Sequence, residues 1–211
     1  MTLQELSASL YDCRRCKLSK LGRSQVVFGT GNPHASVMFV GEAPGFYEDK
    51  QGEPFVGAAG KLLNDLLQAA GLSRAEVYIA NVIKCRPPNN RDPEPDEVET
   101  CKPFLLQQIE MIAPKVVCTL GNWATQTILE KKVGITKVRG YPITLPAFTV
   151  FPLLHPAAAL HQGNLRPILE EDFRKLRTYL DRLVAPPTSP VPSAALPGTP
   201  ASKTQMDLFA K

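Results

Sequence analysis

Four short apolar runs, set apart by stretches of helical pattern, constrain most what this chain can fold into. Residues 36–41 (SVMFVG) end in glycine and lead into a loop rich in Gly and Pro that extends to Gly60. Residues 77–82 (VYIANV), 116–120 (VVCTL) and 147–154 (AFTVFPLL) have strand length and composition. Between them, Leu62, Leu63, Leu66, Leu67 and Ala70 fall at helical spacing, with Gly71 as the stop. Residues 92–112 read as a helix with an acidic first turn that Pro103 is expected to kink or divide, and residues 167–183 as a last helix. Strands alternating with helices predict an α/β fold: a three-layer α/β/α sandwich around a short, mainly parallel four-stranded sheet. Ligands of such sheets bind at the carboxyl ends of the strands, so the loops that follow them are where chemistry is expected.

At 211 residues, 44% hydrophobic and 21% charged, the chain can bury one sizeable core. Residues 1–184 are expected to form that single domain. Composition then shifts: residues 185–204 hold six prolines among small and polar residues, too little apolar surface to offset the entropy of ordering, and read as a disordered linker. No run reaches the roughly 20 apolar residues of a membrane span, and Met1 to Leu10 lacks the order of a secretion signal. A cytoplasmic protein without a membrane partner is expected. A net charge of +4 permits an anionic partner without requiring one.

Five cysteines in a reducing compartment are read first as metal ligands or redox groups. Cys13 and Cys16 form a C-x2-C pair, and Cys85 and Cys101 a C-x15-C pair. Four thiolates suit a [4Fe-4S] cluster or a structural zinc, and spacing alone does not separate them, although the wide second pair favours iron–sulfur. The plainer alternative makes Cys85 and Cys101 small buried residues and Cys13 with Cys16 a redox pair. Cys118, inside an apolar strand, is expected in the core.

Gly41-Glu42-Ala43-Pro44-Gly45, residues 52–60 (GEPFVGAAG), Asn81 and His155-Pro156-Ala157, together with the four cysteines, resemble the family 4 uracil-DNA glycosylases. The likeness runs from about Leu6 to Leu183 and implies the uracil-DNA glycosylase fold, Cys13, Cys16, Cys85 and Cys101 as ligands of a [4Fe-4S] cluster, and hydrolysis of the bond between uracil and deoxyribose in DNA. A target base must leave the duplex, stack in a pocket and have its Watson–Crick edge read. The resemblance assigns stacking to Phe55 and pairing with uracil O4 and N3–H to Asn81, whose amide offers both a donor and an acceptor. His155 is expected to donate to uracil O2 as negative charge builds there, a contribution often worth about 3 to 4 kcal/mol. Gly41 and Ala43 would offer backbone groups to the base. Glu42 would position water or stabilise the cationic sugar, so that His155, Glu42 and Asn81 form the catalytic set. Glu48 would help exclude the thymine methyl; the other reading of Glu48 and Asp49 is as solvated loop charges. Arg14, Arg15 and Lys17 are expected at phosphates, and His34 and His161 have no assigned role.

Leu160 is expected to wedge into the base stack. The residues after it, His161-Gln162-Gly163-Asn164, depart from the Arg-Asn-Pro stretch frequent in the family, which leaves the DNA contacts of this loop open. A basic, histidine-containing insert that traps a related branch on DNA is absent after Asn81, so turnover is expected. No lysine is placed by these motifs to form a Schiff base, which implies a monofunctional enzyme. Residues 205–211 resemble the bacterial sliding-clamp binding peptide, with Gln205 orienting and Leu208 and Phe209 as apolar anchors, tethered by the linker. The partners implied are uracil-containing DNA and the clamp, for a monomer associated with the nucleoid. The competing functions are a module that binds uracil in DNA without cleaving and, more remotely, a redox protein built on Cys13 and Cys16.

Overall fold

The computed structural model describes residues 1–184. The linker (185–204) and the clamp-binding peptide (205–211) expected from the sequence lie outside the described residues. In chain order the elements are α1 (Leu3–Leu10), β1 (Thr30–Gly31), β2 (Val37–Gly41), α2 (Phe46–Gln51), α3 (Ala58–Ala69), β3 (Tyr78–Asn81), α4 (Pro95–Ile112), β4 (Val116–Leu120), α5 (Gly121–Leu129), α6 (Ile135–Val138), β5 (Ile143–Thr144), β6 (Thr149–Leu153), α7 (Pro156–His161) and α8 (Arg166–Val184).

The strands form one sheet in the order β1-β3-β2-β4-β6-β5. Its four central strands are parallel and are the four apolar runs of the sequence. The expected four-stranded sheet is therefore extended by β1 and β5, which pair antiparallel at the two edges and make the sheet six-stranded and mixed. Each edge strand is two residues long, too short to show a period of two. Short edges of this kind also leave little unpaired backbone for another chain to add to.

Every residue of β2, β3, β4 and β6 is buried, as a sheet covered on both faces requires. Side chains alternate between two cores. Val37 and Phe39 face Leu63, Leu66 and Leu67 of α3 and Phe173 and Leu176 of α8, whereas Met38 and Val40 face Leu105 and Ile109 of α4 and Ala124 of α5. Phe39, Phe151 and Phe173 are wholly buried, each worth about 1.5–3 kcal/mol of apolar transfer. Phe39 stacks on Phe173 with ring centres 6.0 Å apart, pinning α8 to the sheet.

Helix α4 corrects one expectation: it runs unbroken through Pro103. That residue is exposed, so the carbonyl one turn back that loses its amide partner can be hydrated. Its start also falls later than expected, at Pro95, where the missing amide hydrogen costs nothing and a capping box between Glu94 and Glu97 satisfies the first turn. Among the described residues, no helix is long and apolar enough to cross a membrane.

Candidate active site

The carboxyl ends of the parallel strands converge on an open cleft of about 570 Å3. Its floor is set where β2 and β3 end side by side, Gly41 being the register partner of Asn81. The Asn81 side chain is buried, 1% exposed, and neither Oδ1 nor Nδ2 has a hydrogen-bond partner. Leaving such an amide unsatisfied costs about 1–3 kcal/mol, so the fold holds it ready for something it does not itself supply. Its backbone is fixed from below, where buried Lys84 donates from Nζ to the Asn81 carbonyl at 2.8 Å.

Phe55 closes in over this amide. A Cβ on Gly41 would stand 2.4 Å from Asn81 Oδ1 and 2.6 Å from Phe55 Cζ, so only a residue without a side chain lets the ring and amide meet here. The Gly41 carbonyl already accepts the Val82 amide at 2.9 Å, which makes its main contribution to the cleft one of space. Phe55 itself holds a left-handed φ of 55°, at a cost of about 1–3 kcal/mol for a non-glycine residue. Its neighbours enforce that conformation. Arg74 donates to the carbonyls of Pro54 at 2.7 Å and Phe55 at 3.0 Å, and the Glu48 carboxylate accepts the amides of Val56 and Gly57, both at 2.9 Å.

His155 caps α7: its Nδ1 accepts the Ala157 amide at 3.2 Å. The proton of the neutral ring therefore sits on Nε2, leaving a donor for the cleft. Burial lowers the imidazole pKa to about 4, against a smaller opposing pull from Glu48, so the ring is neutral at physiological pH. Its centre lies 5.6 Å from that of Phe55, with the planes tilted by 31°. Gly121, the first residue of α5 with φ 88°, backs the histidine; a Cβ there would stand 3.2 Å from His155 Cβ. Glu42 lines the same cleft, and burial, reinforced by the charge of Asp92, raises its carboxyl to about 7.

Glu42, Ala43, Glu48, Phe55, Asn81 and His155 all line this cleft, from loops that the sequence keeps far apart. Glu48 is not a free loop charge, since its carboxylate anchors the Phe55 loop. Asp49 is buried, 1% exposed, and accepts the Ser24 amide at 2.8 and 2.9 Å, which corrects its reading as a solvated charge. Leu160 is 50% exposed on α7, beside the cleft and outside its lining. The structure adds His161, Asp92 and Arg91 to the lining. Sequence reasoning gave these no role because none belongs to a motif. Gly121, following strand residues 116–120, carried a detectable signal: a glycine where a loop should begin.

Cys13, Cys16, Cys85 and Cys101 line a second, more enclosed cavity of about 20 Å3, with Leu10, Val26 and Phe104. Burial pushes the Cys85 thiol up to about 12 and raises Cys101 as well. Donors nevertheless approach the sulfurs. The Lys84 amide lies 3.3 Å from Cys101 Sγ and Arg15 Nη1 3.5 Å from Cys13 Sγ. Among the described residues, no three His, Cys, Asp or Glu side chains converge closely enough to hold a single metal ion. Cys118 lies wholly buried in β4, in the core as expected. The basic residues near Cys13 are more engaged than expected: Arg14 pairs with Asp12, and Lys17 with Glu94 and Asp96. Arg15 lies over the Phe104 ring at 5.0 Å.

Comparison with known proteins agrees with this geometry. Residues 28–181 match the family model for the Uracil DNA glycosylase superfamily. A type-4 uracil-DNA glycosylase of Sulfurisphaera tokodaii is 50% identical over 185 residues, covering 83% of this chain and 84% of the relative. One from Saccharolobus solfataricus is 50% identical over 177 residues, with coverage of 80% and 82%. Another, from Thermotoga maritima, is 46% identical over 184 residues, with coverage of 85% and 95%. With an orphaned amide, an aromatic ring and a neutral imidazole meeting at the end of such a sheet, and with these relatives spanning nearly all of the described fold, the chain belongs to the uracil-DNA glycosylase superfamily.

Proposed function

We propose that this protein is a monofunctional uracil-DNA glycosylase that hydrolyses the N-glycosidic bond of deoxyuridine in DNA, releasing uracil and leaving an abasic site for base excision repair. The observation that carries the reading is the buried Asn81 amide, unsatisfied at both polar atoms, beside an aromatic ring and an imidazole donor. An extruded uracil answers all three. Its face stacks on Phe55, and its O4 and N3–H complete the Asn81 amide. Cytosine presents the opposite donor and acceptor pattern at those positions and leaves the amide unpaired. As the glycosidic bond lengthens, charge gathers on O2, where Nε2–H of neutral His155 stabilises it without giving up its proton. Glu42, as a carboxylate, orients water or steadies the cationic sugar. The backbone of Gly41 and Ala43 borders the base, Glu48 keeps the Phe55 loop in place, and Leu160 fills the gap in the stack.

The test is a strand carrying one uracil, incubated with the protein and then heated in alkali. Release of free uracil and a break appearing only after alkali support a monofunctional enzyme. Tight binding of the uracil strand without release would instead mark the non-catalytic module.

The four cysteines are proposed to hold a [4Fe-4S] cluster. A single zinc draws its sulfurs to about 2.3 Å from one point. A four-iron cube accepts them at its separate corners, which suits thiols spread around a cavity better. When bound, the cluster braces the amino-terminal segment against the segment that carries Cys85 and Cys101, since hydrolysis of a base needs no electron. Iron and sulfide in anaerobically purified protein test this, with colourless zinc-loaded protein as the opposing outcome. Gln205, Leu208 and Phe209 are proposed to dock on a bacterial sliding clamp. Loss of clamp binding on changing Leu208 and Phe209 to alanine tests that tether. The protein is proposed to act as a cytoplasmic monomer at the nucleoid.

A further inference from the structure

Among the described residues, three side-chain nitrogen and oxygen atoms are buried without a hydrogen-bond partner. Two are those of Asn81. The third is Nη1 of Arg23. A native fold tolerates such an atom where a ligand completes it, and the first two already have that explanation. Arg23 sits beside Cys13. Its Nη2 donates to the Cys13 carbonyl at 2.5 Å, so the guanidinium is fixed by the backbone of one proposed ligand. Among the described residues, no carboxylate pairs with this guanidinium. A half-buried cation with one nitrogen committed to the Cys13 carbonyl and another uncommitted therefore lies beside the segment that carries two of the four proposed ligands.

We propose that Arg23 is the counter-cation of the iron–sulfur group, its Nη1 donating a hydrogen bond to a cysteinate or sulfide sulfur. The proposal rests on the cofactor reading above. It adds a side-chain donor to the two N–H groups that already approach Cys101 and Cys13. Hydrogen bonds to the sulfurs and neighbouring charge are what a protein uses to set the potential and the hold of such a cluster. Arg23 has the planar fork that allows one nitrogen to be anchored on a carbonyl while another serves the sulfur.

The test uses full-length, anaerobically purified protein, comparing the natural chain with Arg23→Met and Arg23→Lys. Iron and sulfide content, midpoint potential, and the shift of the Fe–S stretching bands between H2O and D2O are read for each. The Met variant is expected to lose iron to a chelator roughly 10-fold faster. Its potential moves to more negative values, and it loses part of the deuterium shift. The Lys variant keeps the potential nearer that of the natural chain while its deuterium shift changes. A potential and deuterium shift unchanged in Arg23→Met overturn the proposal and leave the cluster assignment standing. Should Arg23→Met fail to load iron, an unchanged deuterium shift in Arg23→Lys overturns it, and a changed one supports it. Absence of iron and sulfide from the natural chain overturns the cofactor reading itself, and this proposal with it.

Discussion

Asn81 is costly where it stands: two polar atoms are shut away from water with no partner. Its removal should therefore separate stability from activity. Asn81→Ala is expected to release uracil at least about 100-fold more slowly, while gaining about 1 kcal/mol of stability. A rise in Tm of about 2–4 °C, read by calorimetry alongside uracil release, checks both halves. Glu42 makes a second prediction. Its carboxyl, raised to about 7, gives kcat/KM a limb that climbs with pH through that value and vanishes in Glu42→Gln. His155, neutral above about 4, adds no limb near neutrality. The effects on folding have opposite signs. With a raised folded pKa, Glu42 contributes stability that is whole below pH 4.5 and lost as pH rises through about 7, so Glu42→Gln should gain more in Tm at pH 8 than at pH 5. His155, with a lowered folded pKa, contributes stability that is whole above 6.5 and lost as pH falls through about 4. That Phe55, Asn81 and His155 would share one cleft was legible because Phe55 and His155 sit in short motifs and Asn81 ends an apolar strand. Lys84 was not, because nothing local distinguishes a lysine that will be buried under a strand end from one in solvent.

The loop from Gly52 to Gly57 behaves as a part bolted in place. Glu48 receives two of its amides, Arg74 holds two of its carbonyls, and Gly60 lets helix α3 pass beneath it, since a Cβ there would lie 1.8 Å from the Phe55 carbonyl oxygen. Glu48→Ala should free the Phe55 ring, lowering stability by about 2 kcal/mol and raising KM for uracil-containing DNA. Glu48→Gln retains an acceptor oxygen and should fall between Ala and the natural residue. Thermal melts and steady-state kinetics on the two variants check the order. The four central strands were legible because a strand buried on both faces is a continuous apolar run with clear ends. Strands β1 and β5 were not, because their two residues each are defined by the partner they lie beside. Pro103 misled in the same way: its local preference to break a helix was overridden by the apolar stripe of α4 packed against the sheet.

The two cavities lie on either side of the short segment from Asn81 to Cys85, and Lys84 joins them, its amide on the Cys101 sulfur and its Nζ on the Asn81 carbonyl. A bound cluster would close a connection from Cys16 to Cys85 and hold α1 against α4, stabilising the folded state by its own binding free energy. Stripping iron with a chelator is expected to lower Tm by several degrees and to make residues 1–23 the first cut in limited proteolysis. Equal protection of that segment with and without iron would count against the bracing role. A further consequence follows from the pairing of Gly41 with Asn81. Neighbouring positions on a strand point to opposite faces, so sliding β3 by one place would offer the methyl of Ala80 or the branched chain of Val82 where the amide now waits. On the function proposed above, the capacity to tell one letter of DNA from another is guarded by ladder bonds that never touch a nucleotide, and a fault in zipping two strands together would leave a sound-looking fold that cannot read.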